Sequence, residues 1–177
     1  EAIDATWEGD TIELCDWTYT GPGNRDLDLL GKQLTVRSAS GQAEACIIDC
    51  QGSAGEPHRG FHLHAGEDDA VIQDLTITGG CHAGGGAVLC DGASPAFNGC
   101  RFTGNSTTSA TDGGAVQCMN GATPVFNACL FSDNHAADDG GALQCRDGAY
   151  ADLNDCLFHA NEAGDSGGAI YLTTAGG

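Results

Sequence analysis

Positive charge is almost absent from this chain. Its 177 residues carry six Lys and Arg against 25 Asp and Glu, a formal net charge of -19 at pH 7. Such a surface repels a phosphate backbone and an anionic bilayer, which excludes nucleic acid and membrane surfaces as partners. Cations are the natural counter-partners. Long apolar runs are also missing: no stretch approaches the roughly 18 residues that a membrane span needs, so membrane insertion is not expected. No basic-then-apolar leader is present, and the chain opens at Glu1 as though a segment had been removed upstream. Aromatic residues are few, and Trp7, Trp17, Tyr19, Tyr150 and Tyr171 are too scattered to form a sugar-stacking face. There is no Cys-x2-Cys pair, so zinc-finger and dithiol redox chemistry lack their spacing. High acidity often means disorder, but 41% hydrophobic content and a strict repeat argue otherwise.

Cysteine and glycine are what the chain has in plenty. Four Gly-Gly-Ala signatures recur at Gly85-Gly86-Ala87, Gly113-Gly114-Ala115, Gly140-Gly141-Ala142 and Gly167-Gly168-Ala169, spaced by 28, 27 and 27 residues. In each full repeat a Cys follows three positions past the Ala, a second Cys ten or eleven residues later, and then a Phe-x-x-Asn. The apolar stretches are three to five residues long and are broken by Asp-Gly, Asn-Gly or Ser/Thr-Pro turns. That is too short for the helix pair of an ankyrin or tetratricopeptide repeat. Three short strands closed within 27 residues match one coil of a parallel β-helix, and the chain reads as a single domain over residues 1–177. Stacking coils about 4.8 Å apart gives each inward residue an identical neighbour.

The expected columns are Phe97, Phe126 and Leu153; Phe102, Phe131 and Phe158; Cys90, Cys118 and Cys145; and Cys100, Cys129 and Cys156. Asn98, Asn127 and Asn154 form one amide ladder, and Asn105, Asn134 and Asn161 another. Val71 to Gly80 superposes on the same pattern, with Leu75 in a cysteine column and Ile77 in a phenylalanine column. Earlier strands fall at 11–14, 34–37, 46–49 and 61–64. The longest insertions separate Asp16 from Gly31 and Gln51 from Gly60. About six to seven coils result, a rod about 30 Å long. The glycine pairs mark sharp turns with positive φ or close packing between coils, since no Lys-Ser/Thr follows to make a phosphate loop.

The Gly-Gly-Ala-(Val/Leu/Ile) signature with Phe102 to Asn105, Phe131 to Asn134 and Phe158 to Asn161 resembles the repeat of polymorphic outer membrane proteins. It is also similar to secreted right-handed parallel β-helix proteins. To the opening coil of the latter are similar Gly9-Asp10-Thr11-Ile12, Tyr19 to Leu27, Gly31-Lys32, Val36-Arg37-Ser38, Ile48-Asp49-Cys50 and Arg59-Gly60-Phe61. The resemblance covers the whole chain and implies a right-handed solenoid. It leaves function open, since such proteins serve as adhesins, structural stalks and carbohydrate-active enzymes. Ala2 to Thr6 reads as the remnant of an N-terminal capping helix. The last coil begins at Ile170-Tyr171-Leu172 and is unfinished, which implies a fragment or an end that meets another subunit. The expected function is an extracellular or cell-surface structural protein, self-associating head to tail into a filament. The alternatives are an adhesin binding surface glycans, and a polysaccharide lyase or glycoside hydrolase, for which no residue pair stands out.

Candidate sites follow from the same alignment. Ten cysteines placed in register point to an oxidising compartment. The expected intra-coil bridges are Cys90–Cys100, Cys118–Cys129 and Cys145–Cys156. Cys15, Cys46, Cys50 and Cys81 remain for two more, with Cys50–Cys81 preferred. Bonding along a column, stacked free thiols and metal ligation are the alternatives. Asp112, Asp138, Asp139 and Asp165 precede successive turns and are candidate ligands for Ca²⁺, against the plainer reading of a solvated acidic rim. Asn105-Ser106-Thr107 is an N-glycosylation sequon. His62 and His64, two apart on a strand, point the same way.

Overall fold

Each repeat folds as one coil because its inward side chains find no partner within their own turn of chain. The computed structural model describes residues 2–64, 66–108 and 112–173. It is an all-β, right-handed parallel β-helix with a short helix, α1 (Ala2–Ala5), at its N-terminal end. Every strand pair is parallel and in register, so the chain climbs one strand spacing per coil.

Four walls run along the axis. The first stacks β1 (Thr11–Leu14), β3 (Thr35–Ser38), β6 (Val71–Gln73), β10 (Ala96–Asn98), β14 (Val125–Asn127) and β18 (Asp152–Asn154). The second stacks β2 (Trp17–Tyr19), β4 (Cys46–Asp49), β7 (Thr76–Thr78), β11 (Arg101–Thr103), β15 (Leu130–Ser132) and β19 (Leu157–His159). A short third wall holds β8 (Cys81–His82), β12 (Ser106–Thr107), β16 (His135–Ala136) and β20 (Glu162–Ala163). The fourth holds β5 (Phe61–His64), β9 (Val88–Asp91), β13 (Val116–Met119), β17 (Leu143–Cys145) and β21 (Ile170–Leu172).

The columns lie where the repeat alignment puts them. Phe97 pairs with Phe126, and Phe126 with Leu153; Ile77, Phe102, Phe131 and Phe158 share another register. Rings stack face to face along each column at 4.7–4.8 Å and meet edge to face between columns. Burial of such a ring is worth about 1.5–3 kcal/mol, and here all of Phe97, Phe102, Phe126 and Phe131 are fully buried. Both amide ladders form as well. Asn127 Nδ2 donates to Asn98 Oδ1 at 2.8 Å, and Asn134 Nδ2 donates to Asn161 Oδ1 at 2.9 Å.

The glycine pairs divide two tasks that the sequence leaves as alternatives. The first members, Gly85, Gly113, Gly140 and Gly167, adopt φ of 67, 68, 67 and 64°. The second members pack backbone on backbone: a Cβ on Gly114 would collide with the carbonyl oxygen of Gly141, and one on Gly141 with that of Gly168. Turn geometry requires glycine at the first members, where a Cβ would also meet the carbonyl three residues ahead, and coil spacing requires it at Gly114 and Gly141.

Candidate functional site

The two longest insertions, scattered in sequence, come together outside the fourth wall. The first carries Leu27 into a parallel bridge with Phe61, and Leu27 N–H donates to the Gly60 carbonyl at 2.8 Å. The second carries His58 into an antiparallel bridge with Cys81. Because Leu27 packs against the core, its neighbours Asp26 and Asp28 both point outward. They face Arg59 from the second insertion, His62 from β5 and His82 from β8 across an open cleft of about 310 Å³. His82 stands at the end of β8, beside the loop that follows it.

A tight polar network fixes these walls. Asp26 accepts from the Arg59 backbone N–H at 2.9 Å and sits 2.6 Å from His58 Nδ1. It holds φ at 52°, a left-handed conformation uncommon outside glycine but tolerated by Asp. Asp28 Oδ1 accepts from the Leu30 N–H at 2.6 Å and lies 3.0 Å from His64 Nε2. Behind it Glu67 is fully buried and accepts the backbone N–H groups of Gly31 and His64. Burial nevertheless pushes the Glu67 carboxyl above its usual range.

Arg59 is the centre of the cleft. It is only 5% exposed, and burial lowers it to about 10 despite the favourable charge of Asp26. Its Nη2 donates to His82 Nδ1 and, at 3.3 Å, to the Ala83 carbonyl. His82 Nδ1 also lies 3.2 Å from the Ala83 carbonyl, so the guanidinium, the imidazole and that carbonyl meet at one point. Burial and the Arg59 charge hold both His62 and His82 below the ordinary imidazole range, so both are neutral near pH 7. Among the described residues, Arg59 Nη1 and His62 Nε2 are shut away from water without a hydrogen-bond partner.

Among the described residues, two groups of side chains have the geometry to hold a divalent cation. In Asp28, His64 and Glu67 one ligand atom from each lies within 4.8 Å of the others, and the same holds for Asp112, Asp138 and Asp139. The second group brings together three of the four expected acidic residues. Asp165 is the fourth; its charge reaches Asp138, and its N–H donates to the Asp138 carbonyl at 2.8 Å, but it stands outside that trio. Several of these oxygens are engaged already: Asp112 accepts from Gln144 Nε2 and the Asp139 N–H, and Asp139 from the Ser166 N–H.

The structure bears on two expectations about modification. Cys15, Cys46, Cys50, Cys81, Cys90, Cys100, Cys118, Cys129, Cys145 and Cys156 carry no disulfide in this structure. The intra-coil bridges Cys90–Cys100, Cys118–Cys129 and Cys145–Cys156 are not formed, nor is Cys50–Cys81. The thiols stack along the axis instead, Cys118 in register with Cys90 and Cys145. Cys100, Cys129 and Cys156 donate to the carbonyls of Ile72, Phe97 and Phe126 one coil away, a bond that a half-cystine has no hydrogen to make. Burial pushes Cys50 up to about 12, and Cys100 well above the usual thiol range. The sequon residue Asn105 is 1% exposed, with Nδ2 donating to the Ile77 carbonyl and Asn134 Oδ1. A glycan on that nitrogen has no room inside the amide ladder.

Sequence reasoning saw His62 and His64 on one side of a strand but missed the cleft. Its residues lie in non-repeating insertions, and the one available signal was that four of the six histidines cluster between His58 and His82. Among the described residues no helix is long and apolar enough to cross a membrane. The family described as right handed beta helix region matches residues 32–177. No curated protein and no solved structure shows a significant match.

Proposed function

The chain belongs to the right-handed β-helix family, and on that scaffold we propose that it is a glycan-binding protein of the cell surface or extracellular space. The fold family sets architecture and not activity, so the reading rests on the cleft. The observation that carries it is the meeting of Asp26, Asp28, Arg59, His62 and His82 around one open concavity. Carboxylates accept hydroxyl protons, while Arg59 and the imidazoles donate to hydroxyl and ring oxygens. A polyhydroxylated ligand satisfies both sets at once, whereas an apolar ligand would strand them. Strong overall acidity favours neutral or weakly anionic glycans over highly charged ones.

Binding of the native chain to a panel of immobilised oligosaccharides tests this reading. Retention of at least one glycan class, lost on Asp26→Asn with Asp28→Asn, is the expected result. No retention anywhere on the panel overturns it. Appearance of new chain ends in the bound glycan would move the protein from binding module to hydrolase or lyase.

A second reading, a structural rod that associates with itself, draws on the plainness of the other coils. From β10 to β19 the first two walls are stacked columns without insertions. Calcium on Asp112, Asp138 and Asp139 would relieve repulsion along such a rod. Electron microscopy with and without a chelator tests it, with filaments expected only if end-to-end contacts form.

A further inference from the structure

We infer that Asp28, His64 and Glu67 form a binding site for a transition-metal dication of the Zn²⁺ class, which fastens the first insertion to the end of β5. The site is independent of what the cleft binds, and it is separate from the all-oxygen group at Asp112, Asp138 and Asp139.

Three segments deliver one ligand atom each. Alternation along β5 turns Phe61 and Leu63 into the core and His62 and His64 out of it. Beyond the strand the chain turns back, Glu67 N–H donating to the His64 carbonyl at 3.2 Å, and this returns the Glu67 side chain to His64. Asp28 arrives from the first insertion, one residue past the Leu27–Phe61 bridge. Nε2 of His64 then faces two carboxylates, Asp28 Oδ1 at 3.0 Å and Glu67 Oε1 at 3.9 Å. Ligands about 2.0–2.2 Å from a tetrahedral ion stand about 3.3–3.6 Å from one another, and the two separations bracket that range.

The charge balance also calls for a cation. Glu67 is fully buried, and its one ion-pair partner among the described residues is His64, which is charged only when protonated. A single N–H on Nε2 serves one carboxylate well, and the shorter contact goes to Asp28. A dication in place of that proton meets both carboxylates and the nitrogen lone pair together. The backbone already sets the carboxylates in position. Leu30 N–H donates to Asp28 Oδ1 at 2.6 Å, and the Gly31 and His64 N–H groups donate to the two Glu67 oxygens at 2.9 and 2.8 Å. Each oxygen keeps a second lone pair for the ion, and outer contacts of this kind orient metal ligands. The donor set chooses the metal. One imidazole with two carboxylates suits Zn²⁺ and its neighbours, while Ca²⁺ takes about six to eight oxygens and Mg²⁺ an octahedron of them. The Asp28 and His64 side chains are 42% and 37% exposed, so the ion has a way in and water can complete its coordination.

Isothermal titration of the metal-stripped native chain with Zn²⁺, Ca²⁺ and Mg²⁺ gives the deciding comparison. Zn²⁺ is expected to bind roughly tenfold or more tightly than either of the others. His64→Gln and Asp28→Asn should each weaken it roughly tenfold or more, while Cys15→Ser, which removes the exposed thiol, should leave it unchanged. Co²⁺ in place of Zn²⁺ should give the visible absorption of a low-coordinate nitrogen and oxygen site, without a thiolate charge-transfer band, and His64→Gln should lose it. Circular dichroism checks each fold. If either ligand variant fails to fold, the Co²⁺ spectrum of the native chain still separates an imidazole and carboxylate site from a thiolate one. No Zn²⁺ uptake, uptake unaffected by His64→Gln, a thiolate spectrum, or Ca²⁺ binding as tightly as Zn²⁺ each overturns the inference.

Discussion

Asn105 Nδ2 donates to Oδ1 of Asn134 across 3.1 Å, joining two coils through buried amides. Asn134 passes the pattern on to Asn161, donates to the Phe102 carbonyl at 2.9 Å, and accepts the Asn105 backbone N–H at 3.0 Å. Replacing it with Ala strands buried partners on both sides. Asn134→Ala is expected to cost roughly 3 kcal/mol, since each orphaned buried group costs about 1–3 kcal/mol. Urea denaturation measures it; a loss below about 1 kcal/mol would mean that water repairs the ladder.

Gly114 and Gly121 separate collision from conformation. Gly121 has φ of 74° and open space around it, so Gly121→Ala should cost only about 1–2 kcal/mol of left-handed strain. Gly114→Ala drives a Cβ into the Gly141 backbone of the next coil and should prevent native stacking. Expression yield and thermal midpoints of the two variants compare the effects directly. Similar midpoints would show that the coils can part at little cost.

The cleft makes stability depend on mild acid. His62 and His82 are held below their ordinary 6.5, so the unfolded chain binds protons that the folded chain refuses. Their contribution is fully present above pH 6.5 and is lost as pH falls through the folded-state values. Glu67 and Asp138, raised from 4.5 and 3.8, act in the opposite sense, favouring the fold as they gain protons and offsetting part of the imidazole effect. Denaturation midpoints should therefore fall between about pH 7 and pH 5, and His62→Gln should flatten that slope. A midpoint unchanged over this range would contradict the neutral imidazoles.

Like-charge crowding gives the acidic corner its own signature. Asp138 is raised by desolvation and by Asp139, Asp112 and Asp165. Its repulsion is absent below the unfolded value and grows as pH rises through the folded one. At neutral pH and low salt, Asp138→Asn should raise the thermal midpoint, and millimolar Ca²⁺ should raise that of the parent more than that of the variant. Equal calcium effects on both would remove Asp138 from the ligand set.

Thiol labelling follows exposure. Cys15 is exposed and Cys156 half-buried, while Cys90, Cys100, Cys118 and Cys145 are fully buried. Iodoacetamide on the native chain should modify Cys15 first and Cys156 next, with the buried thiols reacting only after unfolding. Mass spectrometry of the digested chain reads the order, and early labelling of Cys118 would contradict the buried column.

The regular half of this molecule was legible because its inward residues recur at a fixed period. Phe97, Phe126 and Leu153 reveal their column by spacing alone, and so do the asparagine ladders. The cysteines fall in the columns that their spacing gives, since spacing reports position along the axis and not the oxidation state of the sulfur. Asn105 carried two signals, a sequon and a ladder position, and the structure places it in the ladder. The cleft was illegible for a different reason. Asp26 and Arg59 stand 33 residues apart in segments without internal repetition, and only the bridges Leu27–Phe61 and His58–Cys81 join them.

The confinement of the cleft to the coils between Asp26 and His82 separates two properties that globular domains keep entangled. Inserting or deleting one 27-residue unit between β13 and β17 would change the reach of the rod by about 4.8 Å and leave every cleft residue where it stands. A lineage carrying this architecture can therefore set how far the cleft stands from the last coil, in steps the size of a single strand spacing, without disturbing the groups that line it.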